Sequence, residues 1–202
     1  MNKLELINMT IRRGEYKSYL EIGVGGRAFN FKSVVIDHKD GVDPDCGGTH
    51  NMTSEEFFAE NKRKYDLIFI DGDHHAEQVF KDIQNAKECL TKNGTIFVHD
   101  LDPDSEQCQA QEHGVAPWQG DGWKAWALEM CSIKPKQWWM GFLEIQPIGM
   151  GFMRNTFKEN RNNRLQLSCS FKSDYAIFEK NRAKILNPVT LSDFVKDIEG
   201  NL

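Results

Sequence analysis

The chain has 202 residues, a formal charge of −5 and a pI near 5.7; that length fits one domain with a sizeable core, and the acidic balance argues against general nucleic-acid affinity. Its five cysteines (Cys46, Cys89, Cys108, Cys131 and Cys169) are widely spaced with no C-x2-C, which fits neither a disulfide scaffold nor a structural zinc site. No apolar run approaches the roughly 18 residues of a membrane span, and the N-terminus lacks a secretory apolar core, so reduced thiols, a cytoplasmic setting and no membrane partner are expected.

Residues 3–13 carry apolar positions at Leu4, Leu6, Ile7 and Ile11 and read as a short helix stopped by Gly14. Tyr19–Val24 reads as a first strand that ends in the cluster Gly23, Gly25, Gly26. The short interval that follows leaves room for a small helix only. Gly41–Pro44 reads as a short second strand carrying Asp43, and residues 45–51 as a loop. Ser54 is a good N-cap for the helix EEFFAENK.

Tyr65–Ile70 is an apolar run, the mark of a buried strand. Residues 75–90 form the clearest helix: Val79, Ile83, Ala86 and Leu90 share one face, with Lys81, Asp82, Lys87 and Glu88 mostly elsewhere. Asn93-Gly94 turns the chain into strand Thr95–His99. Residues 101–122 form a long polar loop, of the kind that is usually functional in a compact domain. Asp121 is placed to cap a helix over 123–132. Trp138–Ile145 and Gly149–Asn155 read as a closing pair of strands, with one of Trp138 and Trp139 facing the core and the other partly exposed. Residues 157–173 are polar and undecided. A helix over 174–186 is broken by Pro188, and Ser192 starts a last one. Strands alternating with helices define an α/β sandwich, mostly parallel, with an antiparallel edge.

Chemistry-bearing residues gather where strands end. Gly23-x-Gly25-x-x-Ala28 satisfies a dinucleotide fingerprint. An acid two residues before the first glycine and the short following helix favour another nucleotide-like cofactor, and Glu21 can face a cationic amino group. Asp43 is placed to accept hydrogen bonds from two ribose hydroxyls. Asp71-Gly72-Asp73-His74 and His99-Asp100 end two neighbouring strands, so their acids should open onto one crevice. Carboxylates there can hold a hard cation, and a neutral His74 can act as a general base. Trp118 and Trp123 are candidate pocket walls beside the long loop. Cys46 and His50 have a C-x3-H spacing with no second pair, which reads as variable loop rather than metal site.

The segments YLEIGVGGRAF, GVDPD, MTSEEFF, YDLIFIDGDHHAEQV, NGTIFVHDLDP and GDGWKAW, in this order, resemble those of class I S-adenosylmethionine-dependent methyltransferases. The likeness is greatest to the small-domain group that includes sugar and macrolide O-methyltransferases. It covers roughly residues 16–155 and extends more weakly to the C-terminal helices. The resemblance implies one Rossmann-like domain over 1–202: a mostly parallel sheet, helices on both faces and an antiparallel edge strand. By it, Glu21, Gly23 and Gly25 line the methionine part of the cofactor, Asp43 holds the ribose hydroxyls, Met52, Thr53 and Ser54 lie near the adenine, and Asp71 adjoins the cofactor. Asp71, His99 and Asp100 correspond to ligands of Mg²⁺ or another divalent cation in metal-dependent relatives, and His74 to the base of the sugar-modifying relatives, with Asp71 also counted as catalytic. Three positions depart from the family pattern: Arg27 replaces a common third glycine, His99 the first acid of the metal pair, and Leu101 an asparagine. The implied function is methyl transfer to a small hydroxylated, sugar-like acceptor, and a homo-oligomer is compatible with it. The alternatives are an NAD-dependent oxidoreductase and a non-catalytic scaffold that binds the same cofactor.

Overall fold

In a computed structural model, residues 1–45, 47–110, 118–132, 137–156 and 165–200 are described. Six strands form one sheet: β1 (Ser18–Ile22), β2 (His38–Val42), β3 (Tyr65–Ile70), β4 (Leu90–Val98), β5 (Trp138–Leu143) and β6 (Met150–Asn155). Their order is β2-β1-β3-β4-β6-β5. The first four run parallel, and β6 runs antiparallel to both β4 and β5. The antiparallel edge is therefore a hairpin whose reversed strand lies one place in from the rim.

Helices cover both faces. Helices α1 (Lys3–Arg13), α2 (Phe29–Ser33) and α7 (Leu191–Ile198) bury Leu6, Ile7, Phe31 and Phe194 on one side. On the other, α3 (Ser54–Glu60), α4 (Ala76–Cys89), α5 (Trp123–Ser132) and α6 (Tyr175–Leu186) bury Phe57, Val79, Ile83, Trp126 and Phe178. From Leu67 to Ile70, strand β3 alternates between these cores, with Ile68 and Ile70 in one and Leu67 and Phe69 in the other, as the two-residue period of a strand requires. A sheet covered twice explains why both tryptophans are buried: Trp138 is 7% exposed and Trp139 5%, each in a different core. The expected half-exposed partner is not there.

Several boundaries differ from the sequence reading, for local reasons. Strand β1 stops at Ile22 because Gly23 turns to φ +85°. Strand β2 starts earlier than the apolar pattern shows, at His38, since its first residues lie at an edge, and it ends at Val42. The cap of α3 is Thr53, not Ser54: its hydroxyl accepts from the Glu56 amide and the Glu56 side chain answers the Thr53 amide, a reciprocal capping box. Asn93-Gly94 does not separate helix from strand. Strand β4 begins at Leu90 opposite Tyr65 and shifts register before Thr95 pairs with Leu67, with Asn93 at φ +64° in the irregularity. The last helix is capped by Thr190. No helix among the described residues is long and apolar enough to cross a membrane.

Candidate functional site

The carboxyl ends of β1, β2 and β3 converge on a cavity of about 450 Å³, within the ordinary range for a small-molecule site. Gly23, Gly25, Asp43, Thr53, Ser54, Asp71, Gln78 and Asp82 are among its lining. Two of its glycines are required by geometry. A Cβ on Gly23 would lie 2.2 Å from the Asp71 carbonyl oxygen, so only glycine lets the exits of β1 and β3 touch. Gly25 holds φ +67° with open space where a side chain would stand. Its amide donates to Asp43 Oδ2 at 2.8 Å, and the Asp45 amide donates to Asp43 Oδ1 at 3.0 Å. The turn thus fixes the carboxylate that the cavity presents.

Six of the expected cofactor residues therefore line one space: Gly23, Gly25, Asp43, Thr53, Ser54 and Asp71. Two do not. Glu21 is 1% exposed and takes a 2.7 Å hydrogen bond from the Tyr19 hydroxyl. Burial pushes its carboxyl up to about 7, against the opposing pull of that hydrogen bond. Met52 borders a separate cavity with Asp40, His50, Phe57 and Tyr65. Of the C-x3-H pair, His50 contacts Asp40 at 3.0 Å, and Cys46 lies outside the described residues.

Asp71 joins the cavity to a cluster of charged groups. His99 Nδ1 sits 3.0 Å from Asp71 Oδ1 and 3.1 Å from Asp100 Oδ2. Its Nδ1 makes no hydrogen bond of good geometry to either oxygen. Burial would lower the His99 pKa, but the two acids outweigh it and raise it to about 9, so the ring is cationic at neutral pH. Lys3, from α1, donates to Asp71 Oδ2 at 2.7 Å. Burial alone would raise the Asp71 carboxyl, yet His99 and Lys3 hold it below the usual carboxylate range. On the far side, His74 Nδ1 lies 3.0 Å from Asp100 Oδ2. Asp100 is likewise held down by His74 and His99 despite its burial. Two carboxylates thus face Lys3 and His99, with the His74 ring on the far side of Asp100.

Donor atoms of Asp71, His74 and Asp100 all lie within 4.8 Å of one another. Asp100 Oδ1 is buried without a partner. That trio is a convergent donor group among the described residues, and His99 of the expected set lies against both of its acids.

Residues outside the expected site hold it in place. Gly120, at φ +69°, packs so closely on His74 that a Cβ would meet its carbonyl oxygen at 2.3 Å. The Asp121 amide donates to the His74 carbonyl at 3.1 Å, and Asp121 Oδ1 accepts from the Ala76 amide at 2.7 Å. Asp121 therefore caps α4 across the site, not α5 as its position in the chain implied. Lys124 neutralises its other oxygen at 2.8 Å. Trp118 meets the rings of His74 and His75 edge-on or tilted. Trp123 is fully buried and stacks near Phe178 at 4.9 Å, so it is core and not a pocket wall. Of the long loop, residues 111–117 lie outside the described part.

The carboxyl end of the parallel sheet thus carries a glycine turn, Asp43 and a histidine-acid cluster. Residues 20–101 match the family model described as a methyltransferase domain, and this span contains the cavity glycines, Asp43, Asp71, His74, His99 and Asp100. No curated protein is matched by the sequence. Solved structures share the fold at low identity. One is an O-methyltransferase from Bacillus cereus in complex with S-adenosylhomocysteine (SAH), at 12% identity over 76% of this chain and 80% of that one, with a TM-score of 0.56. A second is the O-methyltransferase TomG from Streptomyces achromogenes in complex with SAM, at 11% identity over 76% and 79%, TM-score 0.53. A third is an SAH-bound methyltransferase from Podospora anserina, at 15% identity over 76% and 78%, TM-score 0.52.

Proposed function

We propose that the chain methylates a hydroxyl of a small, sugar-like acceptor, using S-adenosylmethionine. The carrying observation is the His74–Asp100 pair at 3.0 Å, joined through Asp71 to a cavity of nucleoside size. S-adenosylmethionine, when bound, supplies an electrophilic methyl group on a positively charged sulfur. Gly23 and Gly25 let the backbone approach that molecule, and Asp43 offers its ribose two fixed oxygens. Asp100 Oδ2, 3.0 Å from His74 Nδ1, would favour the proton on that nitrogen and leave Nε2 free to accept one. His74 would take the acceptor's hydroxyl proton as the methyl passes to that oxygen, the C–S bond breaking to leave neutral SAH. Asp100 balances the imidazolium that results. Alignment of donor and acceptor contributes the rest, about 7–11 kcal/mol in well-oriented systems.

A second reading is favoured by the converging donors. Asp71, His74 and Asp100 would hold a divalent cation, and the unpartnered Asp100 oxygen suits one. Such an ion would supply Lewis-acid polarisation of the acceptor hydroxyl, and imidazole among the donors widens the choice beyond Mg²⁺ to Mn, Fe, Ni or Zn. His74 would then be a ligand rather than the base.

Isothermal titration should show SAH binding that Asp43→Ala weakens by about 10–100-fold, the worth of a hydrogen bond to a charged group. Transfer of labelled methyl to a panel of polyols should follow. Loss of transfer on EDTA treatment, with return on adding Mn²⁺, would choose the second reading. Absence of SAH binding would reject both.

A further inference from the structure

A second cavity opens at the same rim of the sheet as the first. The register places Val98 of β4 opposite Gly151 of β6, and Gly151 opposite Phe142 of β5. The turn that joins β5 to β6 therefore stands beside the end of β4, where His99 and Asp100 begin. Between this turn and α6 lies a cavity of about 370 Å³, with Asp102, Phe142, Glu144, Pro147, Arg182 and Leu186 among its lining. It shares no lining residue with the 450 Å³ cavity. In the strand order β2-β1-β3-β4-β6-β5, the first cavity covers one half of the rim and the second the other. Asp71 and Asp100 follow the two middle strands, β3 and β4, between them. Asp102 comes two residues after Asp100, so their Cα atoms are at most about 7 Å apart.

Phe142, Pro147 and Leu186 give the second cavity apolar walls, suited to the C–H face of a small ring. Its charge is uneven. Among the described lining residues Arg182 is the one cation, against Asp102 and Glu144. Its guanidinium is already committed: Nη1 donates to Asp102 Oδ1 at 2.7 Å, and Nη2 to the Pro103 carbonyl at 2.8 Å and the Tyr175 hydroxyl at 3.0 Å. It also lies 4.9 Å from the centre of the Phe178 ring. A fork held at both prongs gives up those bonds if it turns to an incoming anion. Asp102 spends one oxygen on Arg182, and Glu144 is exposed. Asp104 adds its negative field at Asp102, as Glu144 does. A phosphate or carboxylate on an acceptor would be repelled here, and an ammonium would be received.

We infer that the cavity of Asp102, Glu144 and Arg182 seats the methyl acceptor, and that this acceptor is an amine-bearing polyol whose ammonium is held by Glu144 and Asp102. This rests on the methyl-transfer reading above, which leaves the acceptor's charge open, and makes that charge positive.

The test is the binding of three sugars of similar size, glucosamine, glucose and glucuronate, to the SAH-loaded protein by ligand-observed NMR at about pH 6.5, where the amine is protonated. Wild type should bind glucosamine about 3–10-fold more tightly than glucose, the worth of one or two partly exposed charge contacts, and glucuronate more weakly than glucose. The preference should shrink at high salt. Glu144→Lys should reverse the order and put glucuronate first, with SAH affinity and melting temperature unchanged, because residue 144 is exposed and outside the cofactor cavity. Asp102→Asn should bring the three sugars to within about threefold of one another. A site elsewhere on the surface would keep its order in both variants. Equal wild-type affinity for the three sugars, binding of none of them, or an order that Glu144→Lys leaves alone overturns the inference while the methyl-transfer reading stands. Wild type that fails to bind SAH would instead reject that underlying reading.

Discussion

The two ends of the sheet treat buried charge in opposite ways. Toward the amino ends of the parallel strands, Arg154 is 2% exposed and pairs with Asp197 at 2.6 Å. It also donates to the Tyr16 hydroxyl at 2.6 Å and to Thr95 at 2.5 Å, and none of the four side chains leaves a buried polar atom unpartnered. Around the cavity and the cluster at the other end, Glu21, Asp82, His99 and Asp100 each keep one such atom. A saturated network locks α7 to the sheet. Of the unsaturated groups, Asp82 lines the cavity, His99 and Asp100 belong to the charged cluster, and Glu21 lies apart from both. Among charged groups the unpartnered atoms gather at the cavity end, while the neutral Asn155 and Thr156 beside Arg154 also keep one each.

His74→Ala breaks the comparison at its working end and should have the largest effect. Loss of a general base typically costs about 10²–10⁴ in rate, so labelled-methyl transfer should fall by that factor while SAH affinity is retained. Normal turnover would remove His74 from the mechanism. Arg154→Leu attacks the saturated end. It leaves Asp197 buried without its arginine, which should cost about 3–5 kcal/mol of stability in urea unfolding, with SAH affinity of the folded fraction unchanged. A loss under about 1 kcal/mol would show that the network is not the lock described here.

The smallest effect concerns Glu21, whose folded pKa of about 7 stands above its unfolded value of 4.5. Between these values the folded state keeps a proton that the unfolded state has released. Stability attributable to this group therefore falls as pH rises from about 4.5 to 7 and is level above. Glu21→Gln should flatten that slope by an amount on the order of 1–3 kcal/mol, read from urea midpoints at pH 5 and pH 7.5. An identical slope in the variant would show that Glu21 titrates normally.

Strand β3 and helix α4 were legible because their periods are strong: an unbroken apolar run and a clean apolar stripe. Strand β2 was placed too late because its first residues, His38 to Asp40, are partly exposed and carry no apolar signal. Gly23, Gly25, Asp43, Asp71 and His74 could be read because strand ends and glycine turns leave local marks. Asp82 could not. On the helix it counts as one of the residues off the apolar stripe, and only the packing of α4 against the start of α3 buries it. Lys3 was missed for the same reason: it lies 68 residues from Asp71 in sequence, outside the matched segment, and nothing near it announces the contact. The capping role of Asp121 also depends on chain folding back, since local spacing assigns it to the wrong helix.

The contact of Gly120 and Asp121 with His74 and the start of α4 couples two things an enzyme engineer would prefer to vary separately. Residues 118–122 lead directly out of the loop that would meet the acceptor. Libraries aimed at new acceptors through this segment will also retune the imidazole's position, so gains in substrate range there should arrive together with losses in turnover. Diversity is better introduced around Asp102, Glu144 and Arg182, which border a separate cavity and leave the histidine's support intact.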